Sequence, residues 1–328
     1  MKLHTPDVFE SMKPELDLVE AQLLESARVD FPIVSGLVQD IVRGGGKRLR
    51  PLLLLLAARG FAGDRTAAVT AAAGVELLHT ASLIHDDSID RAALRRGQPT
   101  LNTQLSSGAV ILIGDYLFAQ SAILAAATKD PRVVMIFATA LADICDGQLR
   151  ETLDAHRLDQ SRESYEQRIY GKTAALFAGA SEMGAVIGQA PEAAIAELRA
   201  LGSDLGMAFQ IIDDILDLRE GTQTIGKPAG NDLRQGVVTL PVMLFAADLP
   251  ADSETWTTLE AIISGEETRD ARIDEIIAAV RASGALERAE EIAADYTERA
   301  RERLRVVPDA ETRAYLNEML DLAVVRTS

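Results

Sequence analysis

Apolar residues recur along this chain at the three-to-four-residue spacing of helices, almost from end to end, and no stretch alternates as a half-buried strand would. The run PLLLLLAAR predicts a helix over Pro51–Arg59 with the proline in its first turn. A long apolar helix follows from about Thr66 to Asp90. Further helices are expected over Gly108–Thr128, Pro131–Ala155, Ser161–Gly188 and Pro191–Leu218. Gly44–Gly46, the turn Gly60–Asp64 and the loop Arg95–Pro99 punctuate the pattern. Gly221–Gly236, GTQTIGKPAGNDLRQG, reads as a flexible loop between helices. Thr268–Arg305 is dense in Glu and Arg at helical spacing, as in an exposed helix pair. With no repeat and no long linker, the pattern predicts an all-α fold, one helical bundle over residues 1–328.

Composition narrows the partners. Hydrophobic residues make up 48% of 328 positions and aromatics only 4%, so a large Ala- and Leu-rich core is available. A net charge of -17 argues against nucleic acid or an anionic membrane as partner, and makes local basic clusters informative. The single cysteine, Cys145, allows no intrachain disulfide and no Cys-based zinc site, which fits a reducing cytoplasm. The first twenty residues lack the apolar stretch of a signal peptide. Gly108–Thr128 is the best candidate for a transmembrane segment, but Asp115 and Gln120 interrupt it, so a buried helix of a water-soluble protein is expected.

Two acidic constellations carry the chemistry. In His85-Asp86-Asp87-Ser88-Ile89-Asp90, Asp86 and Asp90 share one helix face, at a spacing where like charges destabilise an isolated helix. Asp213 and Asp217 repeat that geometry in FQIIDDILD. One such motif alone is better read as a solvated acidic helix end. Two, each emerging from apolar helix, point to Mg²⁺, which takes one or two carboxylates, several waters and substrate phosphate oxygens. Facing one another across a cavity, they would hold a diphosphate.

Cations complement them. Gly46-Lys47-Arg48-Leu49-Arg50 puts three at a Gly-rich helix entry, a place suited to phosphate. Arg91, Arg95 and Arg96 follow the first acidic motif; neutralising nearby aspartates is their plain role, and Arg95-Arg96 lies too far along for simple helical pairing with Asp86. His79, seven residues before Asp86, projects from nearly the same face, although a helix histidine is more often a satisfied core residue. Lys172 and Thr173 stand on an otherwise apolar helix. Lys227 lies in the Gly-rich loop, where it could close over a substrate.

Together these segments resemble the trans-isoprenyl diphosphate synthase (polyprenyl synthetase) family. The likeness runs through GGGKRLRP, HDDSID, RRGQPT, GDYLFAQSA, YGKTAALF, FQIIDDILD and GKPAGNDLRQG, in order and over nearly the whole chain. It implies an isoprenoid synthase bundle around a central cavity, acting as a homodimer. It implies about three Mg²⁺ ions, held by Asp86 and Asp90, with Asp87 nearby, and by Asp213 with Asp217. It assigns Lys47, Arg50, His79 and Arg96 to isopentenyl diphosphate, and Arg95, Lys172, Gln210 and Lys227 to an allylic diphosphate. Thr173 and Gln210 would also face the allylic cation. Val237 departs from relatives with a cation there. A terpene cyclase or head-to-head synthase would not need Lys47, Arg50 and His79. A regulatory subunit of a heteromeric synthase could dispense with one acidic motif, and a plain scaffold would leave both unexplained. Short-chain relatives often carry an aromatic ring just before the first motif, where this chain has Ala81 and Ser82, with Leu78 a turn further back. A medium- to long-chain all-trans product is therefore expected over a geranylgeranyl or farnesyl one, with Phe137 as a floor.

Overall fold

The computed structural model describes residues 7–95, 97–219 and 229–324. Arg96 and Lys227, assigned above to substrate, lie outside them. Helices dominate because local signals and burial agree. α1 (Val8–Ser11) and α2 (Lys13–Ser26) lead to α3 (Pro32–Arg43), which opens on a proline. α4 (Leu49–Arg59) follows Arg48, whose backbone is left-handed at φ 53°. Every residue from Leu49 to Ala58 except Arg50 is buried, so this helix is apolar nearly all round. α5 (Arg65–Ile89) starts at Asp64, whose carboxylate accepts from the N–H groups of Thr66 (2.7 Å) and Ala67 (3.0 Å).

A two-residue hairpin follows, β1 (Leu94–Arg95) antiparallel to β2 (Gln98–Pro99), turning through Gly97 at φ 75°. Arg95–Pro99 is thus a hairpin instead of a plain loop; the alternation is too short to register in the hydrophobic pattern. Then come α6 (Ser107–Ala127), α7 (Pro131–Asp154) and α8 (Arg162–Ile169). A π-helical turn, Tyr170–Ala174, separates α8 from α9 (Ala175–Ile187). The continuous helix expected over Ser161–Gly188 is therefore interrupted. The interruption falls where Gly171 meets Gly147 of α7 backbone to backbone, an approach that a regular side-chain-bearing turn could not make. α10 (Glu192–Arg219), α11 (Asn231–Arg234), α12 (Leu240–Ala247), α13 (Glu254–Ser264), α14 (Asp270–Ala282), α15 (Ala285–Arg303) and α16 (Ala310–Val324) complete the chain.

Packing divides the chain into two compact units. One comprises residues 1–142, 176–203 and 300–323; the other comprises 143–175, 204–299 and 324–328. In the first, α5 packs against α2, α4 and α6. Gly74 lets α5 approach Ser121 and Leu124 of α6, and Gly184 of α9 sits against the Leu54 carbonyl of α4. The second unit has its own core, including Tyr165, Ile211, Ile215, Ile262, Ile277 and Leu286. α14 and α15 join that core through Ile273, Ile276, Val280, Ala289 and Ala293, so only one side of each is exposed.

Among the described residues, two helices are long and apolar enough to cross a membrane, α5 and α6. The most apolar part of α5 is 72% buried inside the fold, that of α6 only 39%. The expectation of a buried helix at Gly108–Thr128 thus holds for one face only: Ile111, Leu112 and Ile123 are exposed.

Candidate active site

The first acidic motif ends α5. Asp90 caps the helix, its N–H donating to the Asp86 carbonyl. Asp87 is buried at 8% exposure, Asp86 half-buried and Asp90 exposed. The hairpin folds back onto this end. Arg95 Nε donates to Asp87 Oδ1 at 2.8 Å, and Asn102 Nδ2 donates to the Asp87 carbonyl at 2.7 Å. Arg95 thus reaches the motif directly, despite lying too far along for helical pairing. His85 turns away, its ring edge-on to Phe118 at 5.0 Å.

A cavity of about 430 Å³ opens beside this end of α5. Gly44–Gly46, His79, Asp87 and Arg95 line it, with Thr80, Leu83 and Ile84 as an apolar wall. His79 is therefore a cavity residue rather than a core one. Lys47 is exposed, and Arg50 lies over the Phe177 ring at 4.4 Å. Arg48 departs from the reading of three phosphate-facing cations: it is turned inward and paired with Glu20 and Glu76. At 100° per residue, Leu78, Ala81 and Ser82 fall on the opposite side of α5 from the cavity wall. Leu78 and Ala81 are fully buried there, on the side where Gly74 and His85 meet α6. Phe137 is buried within α7.

The second acidic motif lies near the end of α10. Asp213 is exposed, whereas Asp214 is 3% exposed. Asp214 Oδ2 accepts from the Tyr165 hydroxyl (2.7 Å) and Oδ1 from Gln210 Nε2 (2.8 Å). Thr173 donates to Gln210 Oε1 at 2.6 Å, so Thr173, Gln210, Asp214 and Tyr165 form one chain of hydrogen bonds. Lys172 pairs with Glu151 of α7. The two oxygens of Asp217 accept from the N–H groups of Asn231 and Asp232, both at 3.1 Å, fastening α11 to α10.

The electrostatics of this cluster are unfavourable as it stands. Burial lifts Asp214 to about 7, opposed by the Gln210 and Tyr165 hydrogen bonds and reinforced by Asp213. Asp232 is held well above the usual carboxylate range by burial, then by Asp217, Asp214, Glu151 and Asp213. Among the described residues, no three His, Cys, Asp or Glu side chains converge closely enough to hold a metal by themselves. Clustered carboxylates of this kind instead fit a hard divalent cation that completes its shell with water and substrate phosphate. The donor set thus suits Mg²⁺.

Sequence reasoning passed over four residues here. Asp214 and Asp232 stood inside recognised segments with no role of their own. Glu151 and Tyr165 carried no signal, since only folding brings them to Lys172 and Asp214.

Carboxylates, a cation and an apolar wall around the cavity beside α5 fit a ligand that joins phosphate to a hydrocarbon group. Comparison with known proteins narrows the class. The chain matches the polyprenyl synthetase family over residues 31–280. It is 36% identical over 312 residues to heptaprenyl diphosphate synthase component 2 of Geobacillus stearothermophilus, covering 95% of this chain and 96% of that one. It is 34% identical to octaprenyl diphosphate synthase of Haemophilus influenzae, covering 95% and 94%. The crystal structure of a Caulobacter crescentus polyprenyl synthase, complexed with calcium and isoprenyl diphosphate, superposes with a TM-score of 0.92 at 35% identity, over 98% of this chain and 97% of that one. The chain belongs to the polyprenyl synthetase family and is a transferase of prenyl groups.

Proposed function

We propose that this enzyme condenses isopentenyl diphosphate with an allylic diphosphate, head to tail, to give an all-trans polyprenyl diphosphate of medium to long chain. The observation that carries the reading is the cavity in which Gly44–Gly46, His79, Asp87 and Arg95 meet below the Asp86 motif. A terpene cyclase needs no second diphosphate site of this kind. Relatives that make heptaprenyl and octaprenyl chains support the product class.

The residues divide by task. Lys47, Arg50, His79 and Arg96 hold isopentenyl diphosphate, and Arg95, Lys172, Gln210 and Lys227 hold the allylic diphosphate. Asp86, Asp90, Asp213 and Asp217, with Asp232 added, are the carboxylates for about three Mg²⁺ ions. The ions would supply Lewis-acid stabilisation of the charge that builds on the departing diphosphate. Asp87 aims Arg95, and Glu151 aims Lys172. The allylic C–O bond breaks and its electron pair leaves with the diphosphate. The Thr173 and Gln210 oxygens face the resulting cation in a water-poor pocket. The isopentenyl double bond forms the new C–C bond, and a proton passes to the released diphosphate.

Residues 1–328 act as one catalytic domain, soluble in the cytoplasm, as a homodimer. The apolar exposed side of α6 (Ile111, Leu112, Ile123) and Val134 and Met135 of α7 support the dimer. The relative described as component 2 favours a second reading, pairing with a different subunit. Purified protein incubated with Mg²⁺, isopentenyl diphosphate and a panel of allylic primers tests the function. Chains of medium to long length should form, EDTA should abolish them, and Asp86→Ala or Asp213→Ala should cut turnover by at least about two orders of magnitude. A protein that makes no prenyl product alone but does so with a second subunit is heteromeric. Near-normal turnover in either variant removes that motif from the mechanism.

A further inference from the structure

We propose that Arg48 is a positioning residue for isopentenyl diphosphate, acting through the Gly44–Lys47 turn and making no contact with the substrate itself; this rests on the function proposed above. Lys47 and Arg50, on either side of it, are the cations assigned to that diphosphate. Arg48 instead spends its donors on protein partners. Its left-handed backbone, φ 53°, reverses the chain at the entry to α4. Its side chain is 9% exposed and spreads its donors over three elements. Nε binds Glu20 of α2, Nη1 binds Glu76 of α5 at 2.8 Å, and Nη2 donates to the Val42 carbonyl at the end of α3 at 2.5 Å.

Two features separate this role from diphosphate binding. One guanidinium set against two carboxylates leaves a net negative surrounding, which repels a diphosphate. The guanidinium also lies flat against Gly45: a Cβ there would fall 1.8 Å from Nη1 and 2.4 Å from Cζ. The turn that carries Lys47 thus packs directly on the Arg48 guanidinium, and a side chain at Gly45 would push that guanidinium off its partners. Glu76 stands one turn before His79 on α5, and Arg48, Glu76, His79 and Gly44–Gly46 all line the same cavity. Losing Arg48 would release the turn and leave the buried Glu76 uncompensated beside His79. Lysine could replace it only in part, because a point charge cannot span three acceptors set in a fork.

The test is steady-state kinetics of the full-length enzyme with Mg²⁺ and both substrates. Arg48→Ala should raise KM for isopentenyl diphosphate by about tenfold or more while KM for the allylic diphosphate stays within about twofold. Arg48→Lys should recover part of the loss. Glu20→Gln, a shape-preserving change on the outer helix α2, should shift the same KM less and settles the matter if Arg48→Ala does not fold. In a Lys47→Ala background the effect of Arg48→Ala should shrink, since both act on one contact. Unchanged KM in Arg48→Ala and Glu20→Gln overturns the proposal. Effects that multiply independently of Lys47→Ala also overturn it, by making Arg48 a ligand in its own right. If Lys47→Ala and Arg50→Ala themselves leave that KM unmoved, the assignment of the isopentenyl site fails instead.

Discussion

Gly147→Ala offers a sharp test of how the second unit positions its chemistry. A Cβ at Gly147 would lie 2.4 Å from the Lys172 nitrogen, 2.7 Å from the Gly171 carbonyl carbon and 2.9 Å from the Gly171 Cα. All three are backbone atoms, so no flexible side chain can yield. Ordinary contact begins near 3.4 Å, so α7 and the π-helical turn must separate by about 1 Å. Overpacking of this kind costs about 1–3 kcal/mol, and the melting temperature should fall by several degrees. The displaced residues are Lys172, proposed to hold the allylic diphosphate, and Thr173, proposed to face the allylic cation, together with Glu151 on α7. A misplacement of about 1 Å can cost about 10²-fold in rate, equivalent to about 2.7 kcal/mol. Initial-rate kinetics at saturating isopentenyl diphosphate should show that loss in kcat/KM for the allylic substrate. Gly36→Ala is the control, since nothing lies within 4 Å of its added carbon, and it should behave as wild type. Wild-type kinetics and melting for Gly147→Ala would refute the overlap. A lower melting temperature with unchanged kinetics would refute the link from backbone approach to substrate placement.

Three further outcomes are expected. Ala81→Tyr should shorten the product by several isoprene units while the first condensations continue; since Ala81 is fully buried on the α6 side of α5, loss of stability with an unchanged product distribution would show that small residues serve packing alone. In metal-free protein, Asp214 retains its proton up to about 7 while the unfolded chain releases it near 3.8, so its share of stability is full below the lower value and is lost as pH rises to the higher, about 4 kcal/mol in all; Asp214→Asn should flatten the fall of melting temperature between those pH values in EDTA, and an unchanged slope would contradict the burial argument. Leu112→Glu, at a position 68% exposed, should convert a dimer to monomer in sedimentation, and a wild-type protein that is monomeric at micromolar concentration counts against the homodimer.

Much of the fold was legible because helical periodicity, proline entries and glycine breaks are local. α5 and α10 fall within a residue of their expected ends. The acidic motifs were legible for a related reason: a four-residue spacing on a helix places both carboxylates on one face whatever surrounds it. The break between α8 and α9 was not legible; it falls where Gly171 meets Gly147, twenty-four residues away. The short hairpin after α5 escaped for want of length.

Residue type and spacing alone therefore determined an all-α chain, two carboxylate pairs and a set of cations able to meet diphosphates. Tertiary structure decided which of those groups face inward. It paired Arg48 with Glu20 and Glu76, and set Arg95 on Asp87. It also linked Tyr165, Gln210 and Thr173 into the hydrogen bonds around Asp214. The physical reason is that a charge's role depends on its partners and its burial, and both come from segments far apart in sequence.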